Sequence, residues 1–297
     1  MTRSFLFVPA DSERKLQKAG DTGADALILD LEDAVVPGAR PEARQRAADY
    51  IRDKDNVWVR INPIDTDDAD ADLEAVMPAV PVGIVLPKPR SAAAAVQLAE
   101  RLDRLEKQHG IAAGATRIMA LCTEHPAALF TLDGYVNATP RLQALSWGAE
   151  DLSLAVGARA NRDASGNWLP TFEMARSLCL LAAAAAEVTA IDTVFTDFHD
   201  RDGLVNFASN ARRDGFGGML AIHPAQVEPI NAAFTPSAEE IEHAHRIVAL
   251  FADNPGLGTM GMDGKMVDRP HFLQAQRILQ LAGQSGGWKQ LTPKQQR

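Results

Sequence analysis

The sequence predicts an α/β chain folded as a (β/α)8 barrel with a C-terminal helical extension, and three observations carry that expectation. Eight short aliphatic or β-branched runs recur, with helical patterns between them. Their ends fall roughly every 30 residues, the length of one strand–loop–helix–loop unit, and about eight such units make a barrel of roughly 250 residues. The runs are also near-continuous rather than alternating, as expected of strands covered on both faces.

In chain order the predicted strands are SFLFVP (4–9), ADALILDL (24–31), VWVRIN (57–62), VGIVLPK (82–88), RIMALCTE (117–124), LQALSWG (142–148), DTVFTD (192–197) and GMLAIHP (218–224). Between them, PEARQRAADYIRD and SAAAAVQLAERLDRLEKQHG repeat apolar residues at i, i+3, i+4, and Gly110 closes the second as a C-cap. After the eighth run, SAEEIEHAHRIVALF opens with Ser237 and Glu240 at capping-box spacing, and a further helix is predicted over 270–282. No internal repeat, low-complexity block or linker interrupts the pattern. The expected organisation is a barrel over 1–230, a helical lid over 231–285 that belongs to the same catalytic unit, and a disordered tail over 286–297.

Composition agrees with a buried parallel sheet under helices: 46% of residues are hydrophobic but only 6% aromatic. A net charge of -9 argues against a nucleic-acid binder, because phosphate neutralisation needs a basic surface. It leaves room for a small anionic substrate, which needs only a few local cations. Cys122 and Cys179 are too few for a disulfide scaffold and suit a reducing cytosol. The opening MTRSFLFVPADSERK has no cleavable signal pattern, and LCLLAAAAAEV is broken by Glu187 and too short to span a bilayer. The expectation is a cytoplasmic protein with neither membrane nor nucleic acid as partner.

In such barrels chemistry sits at the C-terminal ends of the strands. Those ends carry Asp30, Glu32 and Asp33 on the second run, Arg60 and Asn62 on the third, and Lys88 on the fourth. Glu124 ends the fifth, Glu150 and Asp151 follow the sixth, Asp197 ends the seventh and His223 lies on the eighth. Each has a plainer reading: an acid after a strand is often a helix N-cap, Arg60 could serve a structural ion pair with the DLED carboxylates, and His223 reads as a hydrogen-bonded barrel-mouth histidine. Glu124 and Asp151 are more telling as a pair. They follow consecutive strands, so a barrel would bring them together across its mouth. Two carboxylates without nitrogen or sulfur neighbours suit a hard cation that keeps waters open for substrate. Mg²⁺ is the natural choice, with Mn²⁺ possible. No GxSxG elbow, phosphate-binding loop or dinucleotide fingerprint competes. Lys88, between prolines in VLPKPR, reads as an electrostatic group rather than a Schiff-base lysine.

Taken together, RSFLFVPADSERKLQKAGDTGADALILDLEDAVVP, VRIN, LPKP, CTEHP, SWGAEDLSLAVGA, AIHPAQV and DGKMVDRPHFLQAQRIL resemble the citrate lyase beta-subunit family, related to malyl-CoA and citramalyl-CoA lyases. The resemblance runs from Arg3 to about Leu281. It implies a TIM barrel, magnesium held by Glu124 and Asp151, and Arg60 against the substrate carbonyl or carboxylate. Glu124 would thereby also meet the substrate. Asp30, Glu32, Asp33 and Lys88 would orient metal waters and Arg60. It further implies a homo-oligomer, a trimer or hexamer, whose C-terminal segment covers a neighbouring site. That makes Asp268 an acid/base delivered by the lid; from its own sequence context it reads as a helix N-cap before Pro270. The reaction implied is cleavage of a 3-hydroxyacyl-CoA into a 2-oxo acid and acetyl-CoA, or the reverse condensation. Coenzyme A phosphates would meet Arg14, Lys15 and Lys18, whose plainer reading is a solvated basic helix face. Here the sequence departs from the family, with Ala10 where Gly is common. The alternatives are a CoA-independent class II 2-oxo-acid aldolase, or a citrate lyase subunit acting on an acyl-carrier-protein thioester.

Overall fold

A computed structural model describes residues 2–52 and 54–283. The chain divides into two compact units, Thr2–Phe234 and a second that begins at Thr235. The first is a closed barrel of eight parallel strands in sequential order: β1 (Ser4–Pro9), β2 (Ala26–Asp30), β3 (Val57–Arg60), β4 (Gly83–Leu86), β5 (Arg117–Leu121), β6 (Leu142–Ser146), β7 (Thr189–Asp192) and β8 (Gly218–Ala221). β8 closes on β1 with Met219 opposite Ser4 and Leu220 opposite Phe5.

The strand residues alternate between two cores. Phe5, Ile28, Trp58, Val85, Met119, Leu121, Ile191 and Leu220 fill the barrel interior. The intervening residues, such as Leu6, Leu29, Val59 and Ile84, face the surrounding helices. Both sets are apolar because both faces are covered, which is why the runs do not alternate in sequence. The same parity aims Asp30 and Arg60 inward, one layer above Ile28 and Trp58.

The helices of this unit are α1 (Glu13–Ala19), α2 (Arg40–Ile51), α3 (Asp67–Val76), α4 (Ala93–His109), α5 (Ala149–Val156), α6 (Pro170–Ala185), α7 (Arg201–Asp214) and α8 (Val227–Phe234). The local chemistry marks their ends. The Thr66 hydroxyl accepts from the Ala69 amide to start α3, and Gly110, at φ 68°, ends α4 as its spacing predicts.

Strand seven is displaced from the sequence expectation. The run 192–197 is β-branched, yet the ladder uses Thr189–Asp192. The register decides: Ser146 pairs with Ile191 and Met219 with Asp192, so β7 has to end level with its two neighbours. Beyond that level Phe195 packs on Phe207 of α7 instead of extending the sheet. Glu124 likewise does not end β5 but lies three residues past Leu121, and Asp197 lies in an exposed turn where it accepts from the His199 amide.

The second unit contains α9 (Ala238–Asp253), the hairpin β9 (Thr259–Met262) and β10 (Lys265–Asp268), and α10 (Arg269–Leu281). It is therefore not purely helical. Asp263 and Gly264 both have positive φ, 52° and 75°, the conformation a two-residue Asp-Gly hairpin turn requires. Ser237 and Glu240 form the predicted capping box on α9, and Ala244, Ile247, Val267, Ala275 and Leu279 make the unit's own core. The predicted tail over 286–297 lies outside the described residues. No described helix is long and apolar enough to cross a membrane.

Candidate active site

The loops after the strands build one cavity of about 660 Å³ at the C-terminal end of the barrel. From β2, Asp30 accepts from the Glu32 and Ala34 amides, which shapes the DLED turn. The same carboxylate takes Arg60 Nε at 2.8 Å and Nη2 at 2.6 Å, a bidentate pair, while Arg60 Nη1 stands 3.1 Å from Glu32. The guanidinium lies over the Phe7 ring, 4.8 Å from its centroid. The ion pair and the cavity position are thus combined in one residue. Burial opposes the charge of Arg60, but Asp30, Glu32 and Glu124 outweigh it and hold its pKa above the ordinary value.

Lys88 sits at φ 50°, a conformation uncommon for a side-chain-bearing residue. That bend turns its amide toward Glu124 Oε2 (2.6 Å) while its ammonium reaches Glu32 (2.6 Å), both oxygens of Asp33 (2.9 Å) and Asp151 (3.4 Å). Burial again opposes the charge, and Glu32, Asp33 and Asp151 outweigh it, so the lysine remains charged.

Glu124 is buried and packs on Gly148, the N-cap of α5; a Cβ there would lie 2.5 Å from Glu124 Cγ. Burial and then the neighbouring Asp151 raise the Glu124 pKa well above the usual carboxylate range. Asp151 follows in the first turn of α5, where a helix N-terminus favours an acid. Glu150, by contrast, is exposed and accepts from Asn161 Nδ2, bracing the loop that follows α5. Five carboxylates (Asp30, Glu32, Asp33, Glu124, Asp151) thus converge on two cations, Arg60 and Lys88. Among the described residues no group of three or more His, Cys, Asp or Glu is arranged to hold a metal. The donor set here is two carboxylates beside open space.

Arg14, Lys15 and Lys18 lie exposed on α1 and line the same cavity. His223 lines it too, with its Nδ1 accepting from the Ala225 amide and its ring stacked on Phe198 at 5.1 Å. Asp268 belongs to the second unit, where it caps α10 and pairs with His271 Nδ1. The sequence reading missed Trp147 and Thr193, which line the cavity, and Asp192, which positions both. Asp192 accepts from Trp147 Nε1 (2.7 Å) and the Thr193 amide (2.8 Å), while Arg176 holds its other oxygen. The displaced strand seven concealed it, because its place at the end of β7 depends on register.

The comparisons with known proteins come to the same place. The chain is 33% identical over 288 residues to the citrate lyase subunit beta of Leuconostoc mesenteroides subsp. cremoris, covering 95% of this chain and 93% of that one. It is 35% identical over 290 residues to a (3S)-malyl-CoA thioesterase of Cereibacter sphaeroides, covering 93% of each. Its fold matches the crystal structure of the protein CitE from Mycobacterium tuberculosis in complex with magnesium, acetoacetate and coenzyme A. That match has a TM-score of 0.81 at 33% identity and covers 95% of this chain and 98% of that one. Residues 3–224 match the HpcH/HpaI aldolase/citrate lyase family. The resemblance seen in the motifs is borne out: the protein belongs to the HpcH/HpaI aldolase/citrate lyase family and is a carbon–carbon lyase.

Proposed function

We propose that this chain is a magnesium-dependent acyl-CoA lyase that cleaves a 3-hydroxyacyl-CoA into a 2-oxo acid and acetyl-CoA, or runs the reverse condensation. The observation that carries the reading is the meeting of Glu124 and Asp151 beside Arg60 at the mouth of one cavity. The residues fit a hard divalent cation. Five carboxylates face two cations, and burial followed by the like charge of Asp151 raises the Glu124 pKa, so a divalent cation between the two carboxylates would offset their repulsion. Glu124 and Asp151 would hold the ion and leave its remaining positions to water and substrate. When bound, it supplies a Lewis acid for the substrate's hydroxyl or keto oxygen.

The chain's own residues do the rest. As the bond between the acyl α-carbon and the carbinol carbon breaks, its electron pair passes into the thioester. Arg60 then stabilises the negative charge on the thioester oxygen. Asp30 and Glu32 hold Arg60 in place and keep it charged. The hydroxyl proton is lost and the acetyl carbon gains one, so no oxidant or reductant is needed. Asp268 is the proposed proton donor at the acetyl carbon, from its own or a neighbouring subunit. Arg14, Lys15 and Lys18 offer positive charge to the coenzyme A phosphates.

The test is incubation of the purified protein with Mg²⁺ and malyl-, citramalyl- or citryl-CoA, following free oxo acid with and without EDTA. Cleavage of at least one thioester, abolished by EDTA and restored by Mg²⁺, is expected. A folded, magnesium-supplied protein that cleaves none of them refutes the proposal.

A further inference from the structure

The two carboxylates assigned to the cation are held by different parts of the chain. Glu124 is fixed from the β4 side, where the Lys88 amide donates to it at 2.6 Å. Asp151 comes from the β6 side, in the first turn of α5, with the Lys88 ammonium 3.4 Å away. The gap between them is therefore set by where the turn from β6 into α5 stands. Both ladders of β6, to β5 and to β7, end at Ser146, so strand pairing does not reach that turn. Within it the Ser146 hydroxyl has no hydrogen-bond partner, and Gly148 and Ala149 carry no polar side chain. Trp147 supplies the anchor instead: its indole Nε1 donates to Asp192 Oδ1 at 2.7 Å. Asp192 is fully buried and held in turn, with Arg176 on Oδ2 (2.7 and 3.0 Å) and the Thr193 amide on Oδ1 (2.8 Å). The Trp147 indole also packs edge-on against Trp168, at 4.9 Å between ring centroids. Trp168 Nε1 is buried as well but has no hydrogen-bond partner.

We propose that Trp147 is a positioning residue for the divalent cation. Its charge-assisted bond to Asp192 adds one side-chain rung beyond the β6 ladders and holds Asp151 at the separation from Glu124 that a small ion demands. The inference rests on the lyase reading, because it takes Glu124 and Asp151 as the ligands. Trp147 acts through the backbone it carries: the next residue is Gly148, against which Glu124 packs, and Asp151 follows one helical turn later. The physical reason lies in the difference between hard cations. Mg²⁺ requires near-octahedral geometry with oxygens at about 2.0–2.1 Å, whereas Ca²⁺ accepts irregular shells at about 2.3–2.6 Å. A turn that loses its anchor lets the two carboxylates drift apart, which penalises the smaller ion and leaves the larger one nearly unaffected. General loosening of the fold lowers both affinities together.

The experiment measures Mg²⁺ and Ca²⁺ affinity by titration calorimetry for wild type, Trp147→Phe and Trp168→Phe, with a urea unfolding curve for each. Trp147→Phe keeps an aromatic ring but removes the donor to Asp192. Trp168→Phe is the matched control, the same change in the neighbouring ring with no hydrogen bond to lose. In Trp147→Phe, Mg²⁺ should bind at least about tenfold more weakly while Ca²⁺ stays within about threefold of wild type; in Trp168→Phe both should stay within about threefold. Should Trp147→Phe fail to fold, benzothienylalanine at position 147 keeps the bicyclic shape without the N–H, and the same loss of Mg²⁺ preference is expected. Affinities that fall in parallel when the N–H is removed, or that both hold, overturn the positioning role while the lyase reading stands. An equal loss of Mg²⁺ preference in Trp168→Phe overturns it too. A wild-type protein that neither binds Mg²⁺ nor cleaves a thioester removes the lyase reading, and this inference with it.

Discussion

Gly148→Ala is the substitution that most directly tests how the site is built. Gly148 has φ -118° and ψ 106°, an extended conformation that alanine adopts without strain, so any effect is steric. Its new Cβ would stand 2.5 Å from Glu124 Cγ and 2.8 Å from Oε1. Ordinary contact begins near 3.5 Å, so the Glu124 side chain has to retreat by about 1 Å. It cannot retreat freely, because Oε2 is held at 2.6 Å by the Lys88 amide on a backbone already bent into positive φ. Overpacking costs about 1–3 kcal/mol, and loosening a charge-assisted hydrogen bond costs a similar amount. If about 2 kcal/mol of this falls on the cation site, Mg²⁺ binds about 30-fold more weakly. Titration calorimetry with Mg²⁺, beside a urea unfolding curve for each protein, separates loss of binding from loss of fold. A Gly148→Ala protein whose Mg²⁺ affinity and lyase activity stay within twofold of wild type refutes the argument that Glu124 is seated against Gly148.

Three further outcomes follow from the same geometry. Asp151→Asn keeps the shape of the first turn of α5 but removes an anionic donor, so Mg²⁺ affinity should fall by at least ~100-fold with the unfolding midpoint little changed; calorimetry and urea titration check it. Asp268→Asn leaves a residue that caps α10 about as well as aspartate, so the fold should persist while kcat falls by roughly 10²–10⁴ at unchanged Mg²⁺ affinity; an unaltered kcat removes Asp268 from the chemistry. On the barrel's other face, burial opposes the charge of Glu106, but Arg141 and the Thr116 and Gly114 amides outweigh it and bring its pKa from 4.5 down to about 2. A depressed folded pKa contributes stability above the unfolded value that is lost as pH falls from 4.5 toward 2. Glu106→Gln should cost about 3–5 kcal/mol at neutral pH and flatten that acid limb, which urea midpoints at pH 7 and pH 3 measure.

Much of this site was legible in the sequence because barrel chemistry is ordered along the chain. Each strand contributes its polar residue immediately after an apolar run, so Asp30, Arg60, Lys88, Glu124 and Asp151 could be located strand by strand. Which of the adjacent Glu150 and Asp151 turns outward was settled by the fold, where Glu150 is exposed and accepts from Asn161 Nδ2. The hairpin around Asp263 and Gly264 carried a readable Asp-Gly signal that a helical expectation for the extension passed over. The position of β7 was not readable. TAID and TVFT are both acceptable strands by composition, and only the neighbours β6 and β8 decide which of them pairs.

The sequence by itself determined the number of barrel strands, their order, and most of the residue types that stand beyond their ends. Those properties follow from local apolar periodicity and need no knowledge of distant partners. Tertiary structure decided the register of β7 and, through it, the role of Asp192 behind Trp147 and Thr193. It also decided the seating of Glu124 on Gly148. Each of these depends on residues far apart in the chain being brought to one level of a closed barrel, and closure fixes that level by joining β8 to β1.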